Sequence, residues 1–361
     1  MNAAAGESNF SVRSYLGVYE VQFVDDFVAS LLSHLKEGDV LLVDQNVERI
    51  YKNRIGSSFD SHRVIRLDPK EELKSYEGVM PIISQLIETG FKKNNRLVAV
   101  GGGITQDVTA FISSIMYRGV DWVFVPTNLL SQCDSCIGSK TSINFGDYKN
   151  QLGGFYPPRL ILQDPSFRKS LDAREIASGV GEMAHYFLID GEDSFAALEA
   201  GVVEALKGGQ VVTEFVRRSL EIKRDMIEVD EFDKGPRNVF NYGHSFGHAI
   251  EGYTRYAIPH GIAVSFGMDI ANSVSVALGL MDAKVQERVF SVLSQIWRGV
   301  DFPTIDLNRY VESLRKDKKN IGSNVRVVLS RGIGDMFLER IEIDSLFMDT
   351  LEKRFSVYRE S

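Results

Sequence analysis

Apolar residues in the first half of the chain fall in short runs, Asp39–Val43 (DVLLV), Arg96–Val100 (RLVAV), Trp122–Val125 and Arg159–Leu162, bounded by Gly, Pro or polar residues. Runs this short with no alternation predict strands buried on both faces, as in a parallel sheet. Between them, Val24–Leu35 and Val79–Phe91 carry apolar positions with the helical period of about 3.6. The alternation predicts βαβ units and an α/β domain with a parallel sheet over residues 1–168. From about Leu171 the pattern changes. Glu175–Leu188, Gln210–Val229, Val239–Tyr253, Gly261–Val276 and Ala283–Trp297 all have helical spacing, so residues 169–361 are expected to be mostly α-helical, with a late hairpin around Val325–Leu329. The polar, glycine-bearing stretch Lys140–Asn150 is expected to be a loop.

Composition narrows the class. The chain has 361 residues, 44% hydrophobic and 25% charged, which excludes a disordered, collagen-like or coiled-coil protein. Its formal charge of −8 argues against a phosphate-backbone footprint, so no nucleic-acid partner is expected. The two cysteines exclude a disulfide scaffold and suit a reducing compartment. The start MNAAAGESNF has no basic and apolar leader, and no uncharged run reaches the ~18 residues of a membrane span. A cytoplasmic protein with no membrane partner is expected.

Four groups of residues carry chemistry. Leu97–Val100 runs into Gly101-Gly102-Gly103 and then a helical stretch, a strand, turn and helix N-terminus that suits a nucleotide pyrophosphate. The spacing matches neither G-x-G-x-x-G nor a P-loop, and a tight βα turn alone would use the same glycines. Asp44-Gln45-Asn46 directly after Val43 supplies a carboxylate for ribose hydroxyls. His244 and His248 are four apart and stand on one helix face, with His260 nearby in sequence; the set fits either a divalent metal or packing. There is no H-E-x-x-H, which disfavours a metalloprotease. Cys133 and Cys136 form a lone C-x-x-C, read as packing rather than redox. Asp134, Lys140, Asn144, Lys149 and Asn150 either face solvent or converge on an anionic substrate, with Lys223, Arg237 and Lys318-Lys319 as possible partners.

Taken together these residues resemble the dehydroquinate synthase family of sugar-phosphate cyclases. The motifs occur in the family's order: Glu71-x-x-Lys74, GGGITQD at 101–107, YRGV at 117–120, PTNLL at 126–130, DSCIGSKTSIN at 134–144, YKNQLGGFYPP at 148–158, GVGEM at 179–183, NYGHSFGHAIE at 241–251, PHG at 259–261 and DKK at 317–319. The resemblance implies an N-terminal NAD-binding α/β domain, a C-terminal helical domain and a homodimer. It implies an enzyme that oxidises a sugar-phosphate hydroxyl with bound NAD, eliminates phosphate, re-reduces and closes a carbocycle by aldol addition.

By the same resemblance the metal, Zn2+ or Co2+, is held by Glu182, His244 and His260, which moves His248 to the phosphate. Lys140, Asn150, Asn241, His248 and one of Lys318 and Lys319 match the phosphate side, with Arg118 reaching a neighbouring subunit's site. Lys223 and Arg237 match residues near the substrate carboxylate and ring hydroxyls, and Asp134 one that orients a hydroxyl. The NAD positions matched are Asp44, Asn46, Glu71, Lys74, Gly102, Gly103, Asp107, Thr127, Lys149, Phe167, Ser170 and Glu175. Departures fall at His185, where the family has a substrate-contacting Lys, at Gln106, at Asn128 and at Ser139 in Gly138-Ser139-Lys140. The substrate implied is 3-deoxy-arabino-heptulosonate 7-phosphate; the alternatives are sedoheptulose 7-phosphate and, in another class, a polyol for an NAD- and metal-dependent dehydrogenase.

Overall fold

The computed structural model describes residues 9–146, 148–315 and 324–360. They fall into two compact units: the chain up to Leu171 together with Lys223–Phe232, and Asp172–Ile222 together with the chain from Asp233 onward. The segment 223–232, expected in the helical half, thus groups with the first unit.

The strands of the first unit are β1 (Phe10–Ser14), β2 (Gly17–Phe23), β3 (Val40–Asp44), β4 (Arg63–Leu67), β5 (Leu97–Gly101), β6 (Trp122–Pro126), β7 (Lys140–Phe145), β8 (Tyr148–Phe155) and β9 (Leu160–Gln163). Seven of them make one sheet in the order β1-β2-β9-β6-β5-β3-β4. Only the β1–β2 pair is antiparallel; the other pairs are parallel. The four expected strands are β3, β5, β6 and β9, and every residue of each is buried. Helices α1 (Phe27–His34), α2 (Gln45–Ile50), α3 (Lys52–Ile55), α4 (Tyr76–Glu88) and α5 (Gly103–Ile115) belong to the same unit. The chain leaves β3 for β4 on one side and returns with β5 on the other, so the carboxyl ends of β3 and β5 flank a topological switch point.

The expected loop at 140–150 is instead the antiparallel hairpin β7–β8. All but the last residue of β8 are exposed, so no buried run marked it.

The second unit contains α6 (Ala173–Asp190), α7 (Glu192–Leu206), most of α8 (Val211–Val229), α9 (His244–Tyr253), α10 (His260–Ala277), α11 (Ala283–Ile296), α12 (Leu307–Arg315), the hairpin β10 (Asn324–Gly332) and β11 (Asp335–Glu342), and α13 (Ser345–Glu360). The stretch Val239–Tyr253 is not one helix. A 3-10 turn, Pro236–Asn241, ends at Gly243, whose φ of 78° breaks the helix, and α9 begins at His244. Among the described residues no helix is long and apolar enough to cross a membrane.

Candidate functional site

Glycines bring the histidine motif to one place. A Cβ on Gly261 would stand 1.7 Å from the backbone oxygen of Ser178, and one on Gly181 2.1 Å from that of Gly261, so α6 and α10 touch backbone to backbone. Likewise a Cβ on Gly267 would lie 2.0 Å from the oxygen of Gly243, at the start of α9. Glu182 follows Gly181, His260 precedes Gly261 and His244 follows Gly243, so each close approach carries a side chain with it. Glu182 on α6, His244 on α9 and His260 on α10 each offer a ligand atom within 4.8 Å of the others.

His244 Nε2 lies 3.5 Å from Glu182 Oε1, and His260 Nε2 3.4 Å from Glu182 Oε2. Glu182 is 2% exposed, and its Oε2 has no hydrogen-bond donor among the described residues. A buried carboxylate oxygen facing an imidazole nitrogen without a hydrogen bond fits a divalent cation, and one carboxylate with two imidazoles is a suitable donor set for Zn2+. Burial alone would raise the Glu182 carboxyl, but the charges of His244 and His260 outweigh it and hold it well below its usual value. Burial opposes charge on His260, and Glu182 and Glu251 outweigh it, lifting His260 well above its usual value.

Glu251 was not anticipated. Its Oε2 lies 3.0 Å from His260 Nδ1, which leaves Nε2 directed at Glu182. Its place in NYGHSFGHAIE, three residues after His248 on the same helix, was the available signal. His248, Glu251 and His260 also group within 4.8 Å, but the His248 side chain is 56% exposed and His260 Nδ1 is already engaged. The His248 ring is held below its usual value by desolvation and by His244 and His260; its exposure makes the two imidazoles the firmer cause.

His185 adjoins the cluster. Its ring is wholly buried among Tyr186, Phe240 and His244, with Nδ1 3.9 Å from Glu182 Oε1, so it lies against the metal-type cluster. Arg237 is 4% exposed on the 3-10 turn, and Asn241 Nδ2 donates to Asn238 O at 2.9 Å. Glu175 completes a capping box at the start of α6, its Oε2 accepting from Asp172 N at 2.9 Å, which gives that carboxylate a structural partner.

In the first unit, Gly102 is the N-cap of α5, and no side chain among the described residues caps the helix, so backbone N–H groups stay available at the switch point. That fits a pyrophosphate. Asp44 ends β3 beside it, its Oδ1 accepting from Asn46 N at 2.7 Å; burial raises its carboxyl against that hydrogen bond. Asn46 is exposed, and Thr127 N donates to Gly101 O at 3.0 Å.

Lys74 Nζ meets Asp107 Oδ2 at 2.6 Å and Asn150 Oδ1 at 2.9 Å. Asn144 links Glu71 Oε1, at 2.8 Å, to Asn150 N, at 2.9 Å, and Lys149 Nζ is 3.6 Å from Glu71. Asn150 therefore joins the expected cofactor residues through its carbonyl oxygen. Ser170 Oγ pairs with the Tyr51 hydroxyl at 2.8 Å. Phe167 is a core residue, fully buried against Phe27 and Tyr51, so its side chain is not available to a cofactor.

Lys223 Nζ donates to both O and Oδ1 of Asp134 at 2.7 Å. Lys140 is exposed at the start of β7. Arg118 is exposed on a turn in which Tyr117, Arg118 and Gly119 all have positive φ. Cys133 and Cys136 are buried and not bridged, and burial pushes the Cys136 thiol up to about 12, the opposite of a redox thiol. Lys318 and Lys319 lie outside the described residues.

The fold is shared with 2-deoxy-scyllo-inosose synthase and 2-epi-5-epi-valiolone synthase. The structure of 2-deoxy-scyllo-inosose synthase complexed with carbaglucose-6-phosphate, NAD+ and Co2+ aligns with a TM-score of 0.87 over 96% of this chain and 99% of that one, at 23% identity. The 2-epi-5-epi-valiolone synthase of Streptomyces hygroscopicus, with NAD+ and Zn2+ bound, gives 0.83 over 94% and 97% at 24% identity. Glycerol dehydrogenase from Schizosaccharomyces pombe is more distant, at 0.61 over 89% and 84% and 18% identity.

In sequence, residues 50–178 match the 3-dehydroquinate synthase N-terminal domain and 179–320 the C-terminal domain. The chain is 36% identical to 3-dehydroquinate synthase of Sulfurovum sp. over 295 residues, covering 81% of this chain and 83% of that one. It is 35% identical to that of Rhizobium etli over 323 residues, 86% of each. The chain belongs to the 3-dehydroquinate synthase family.

Proposed function

We propose that the protein is a cyclising phospho-lyase of 3-dehydroquinate synthase type, dependent on NAD and a divalent metal, with 3-deoxy-arabino-heptulosonate 7-phosphate as substrate. The observation that carries this is the Glu182, His244 and His260 cluster, with a buried carboxylate oxygen that lacks a donor among the described residues. When bound, the cation supplies Lewis acidity at a substrate oxygen and the dinucleotide a reversible two-electron acceptor. The net reaction breaks one C–O bond to phosphate, forms one C–C bond and leaves the dinucleotide as it began.

The chain's own residues bind, orient and move protons. The free N–H groups at the start of α5 hold the pyrophosphate, Asp44 and Asn46 the ribose, and the Glu71, Lys74, Asp107, Lys149 network the rest of the cofactor, beside Thr127 and Ser170. Lys140, Asn150, Asn241 and one of Lys318 and Lys319 bind the phosphate, and His248 exchanges a proton with it as it leaves. Asp134 fixes the ammonium of Lys223 towards a ring hydroxyl, and Arg237 offers a fork for the substrate carboxylate. His185 acts beside the metal ligands Glu182 and His244. Zn2+, a cytoplasmic homodimer and delivery of Arg118 to the partner's site belong to the same proposal.

The test offers the metal- and NAD-loaded protein the keto-acid phosphate, sedoheptulose 7-phosphate and glycerol. Phosphate release from the keto-acid phosphate, lost in Glu182→Gln, is the expected result. Release only from sedoheptulose 7-phosphate moves the substrate assignment, and NADH formation from glycerol without phosphate release overturns the class.

A further inference from the structure

Ser139 stands in an unusual place for a residue with a β-carbon. It is 5% exposed and has φ of 64°, directly after Gly138 at 105°. Glycine takes this left-handed conformation freely, whereas a Cβ disfavours it, so something nearby must hold Ser139 there. Its hydroxyl donates to Glu231 Oε1 at 2.7 Å, and its carbonyl accepts from Tyr156 N at 2.6 Å. Glu231, 9% exposed, also accepts from Ser14 Oγ at 2.6 Å and from Tyr15 N at 2.8 Å. The next residue out of the turn is Lys140.

Glu231 lies in the segment 223–232, whose other end is tied to Asp134 by Lys223. One short stretch therefore grips the Asp134–Lys140 loop at both ends. We infer that Glu231 is a positioning residue: through Ser139 Oγ it holds the left-handed turn that aims Lys140 at the substrate phosphate. This rests on the assignment of Lys140 to phosphate made above. Glu231 touches neither substrate nor cofactor in this role, and a purely structural one would end at anchoring β1 through Ser14 and Tyr15.

The test measures the dissociation constant of inorganic phosphate by calorimetry on the full chain, with melting temperature recorded for each variant. Lys140→Ala weakens binding if the phosphate assignment holds. Glu231→Ala and Ser139→Ala each weaken it by roughly fivefold to thirtyfold, the size of one left-handed backbone preference. Adding Ser139→Gly to Glu231→Ala recovers most of that affinity, because glycine needs no holding, while the melting temperature stays low for want of the Ser14 and Tyr15 bonds. Unchanged binding in Lys140→Ala removes the phosphate assignment and the inference with it. Weakened binding in Lys140→Ala with none in Glu231→Ala, or a Glu231→Ala loss that glycine does not recover, overturns the inference alone.

Discussion

Glu182 is a carboxylate taken out of water and kept charged by two imidazoles, an arrangement that is expensive unless a cation or its protons complete it. In the metal-free protein His260 is raised above 6.5, so it adds stability that is fully present below that value and fades as pH climbs through its folded one. Glu182, lowered below 4.5, adds stability present above that value and lost as pH falls through its folded one. Metal must displace the His260 proton, so apparent metal affinity should rise with pH above 6.5. Calorimetry in buffers of different ionisation enthalpy should show proton release there; binding without protons would contradict the cluster's role. Because Glu251 fixes the His260 ring, Glu251→Gln should weaken metal affinity by about tenfold to a hundredfold at unchanged helical content. An unaltered affinity would make Glu251 a bystander.

At this scale sequence was partly blind. The i, i+4 spacing singled out His244 and His248, with His260 nearby in sequence, and it took the resemblance to replace His248 with Glu182. Burial was the other hidden variable: nothing in the letters shows that Phe167 belongs to the core or that His185 is enclosed by rings.

Elements explain why distant residues meet. Gly181 and Gly261 let α6 and α10 approach until backbone meets backbone, with Gly261 N donating to Ser178 Oγ at 3.0 Å. Gly261→Ala puts a methyl 1.7 Å from a backbone oxygen that cannot move without the helix. Overpacking of this kind costs about 1–3 kcal/mol. The variant should melt earlier and hold metal less well, yet bind NAD as before, since the residues proposed for the dinucleotide at β3, β5 and α5 belong to the other compact unit. Equal loss of NAD and metal binding would point to global unfolding. Strands buried on both faces were legible because apolar runs have no other use at that length; β8, exposed nearly throughout, left no such mark. The break before α9 was readable only as Gly243, one glycine among 31.

For the whole molecule, an acidic chain of −8 proposed to act on a phosphorylated substrate must concentrate cations locally. Raising ionic strength should therefore increase KM for the sugar phosphate more than it changes kcat, since screening acts on association. A salt-independent KM would argue against a charge-lined phosphate site. The central claim is a redox cycle that closes on itself, and it is tested most directly by following dinucleotide absorbance and inorganic phosphate in the same reaction of metal-loaded protein with 3-deoxy-arabino-heptulosonate 7-phosphate. Many phosphates released per protein, with no net NADH at the end, is the predicted result; NADH accumulating in step with substrate consumed would contradict it.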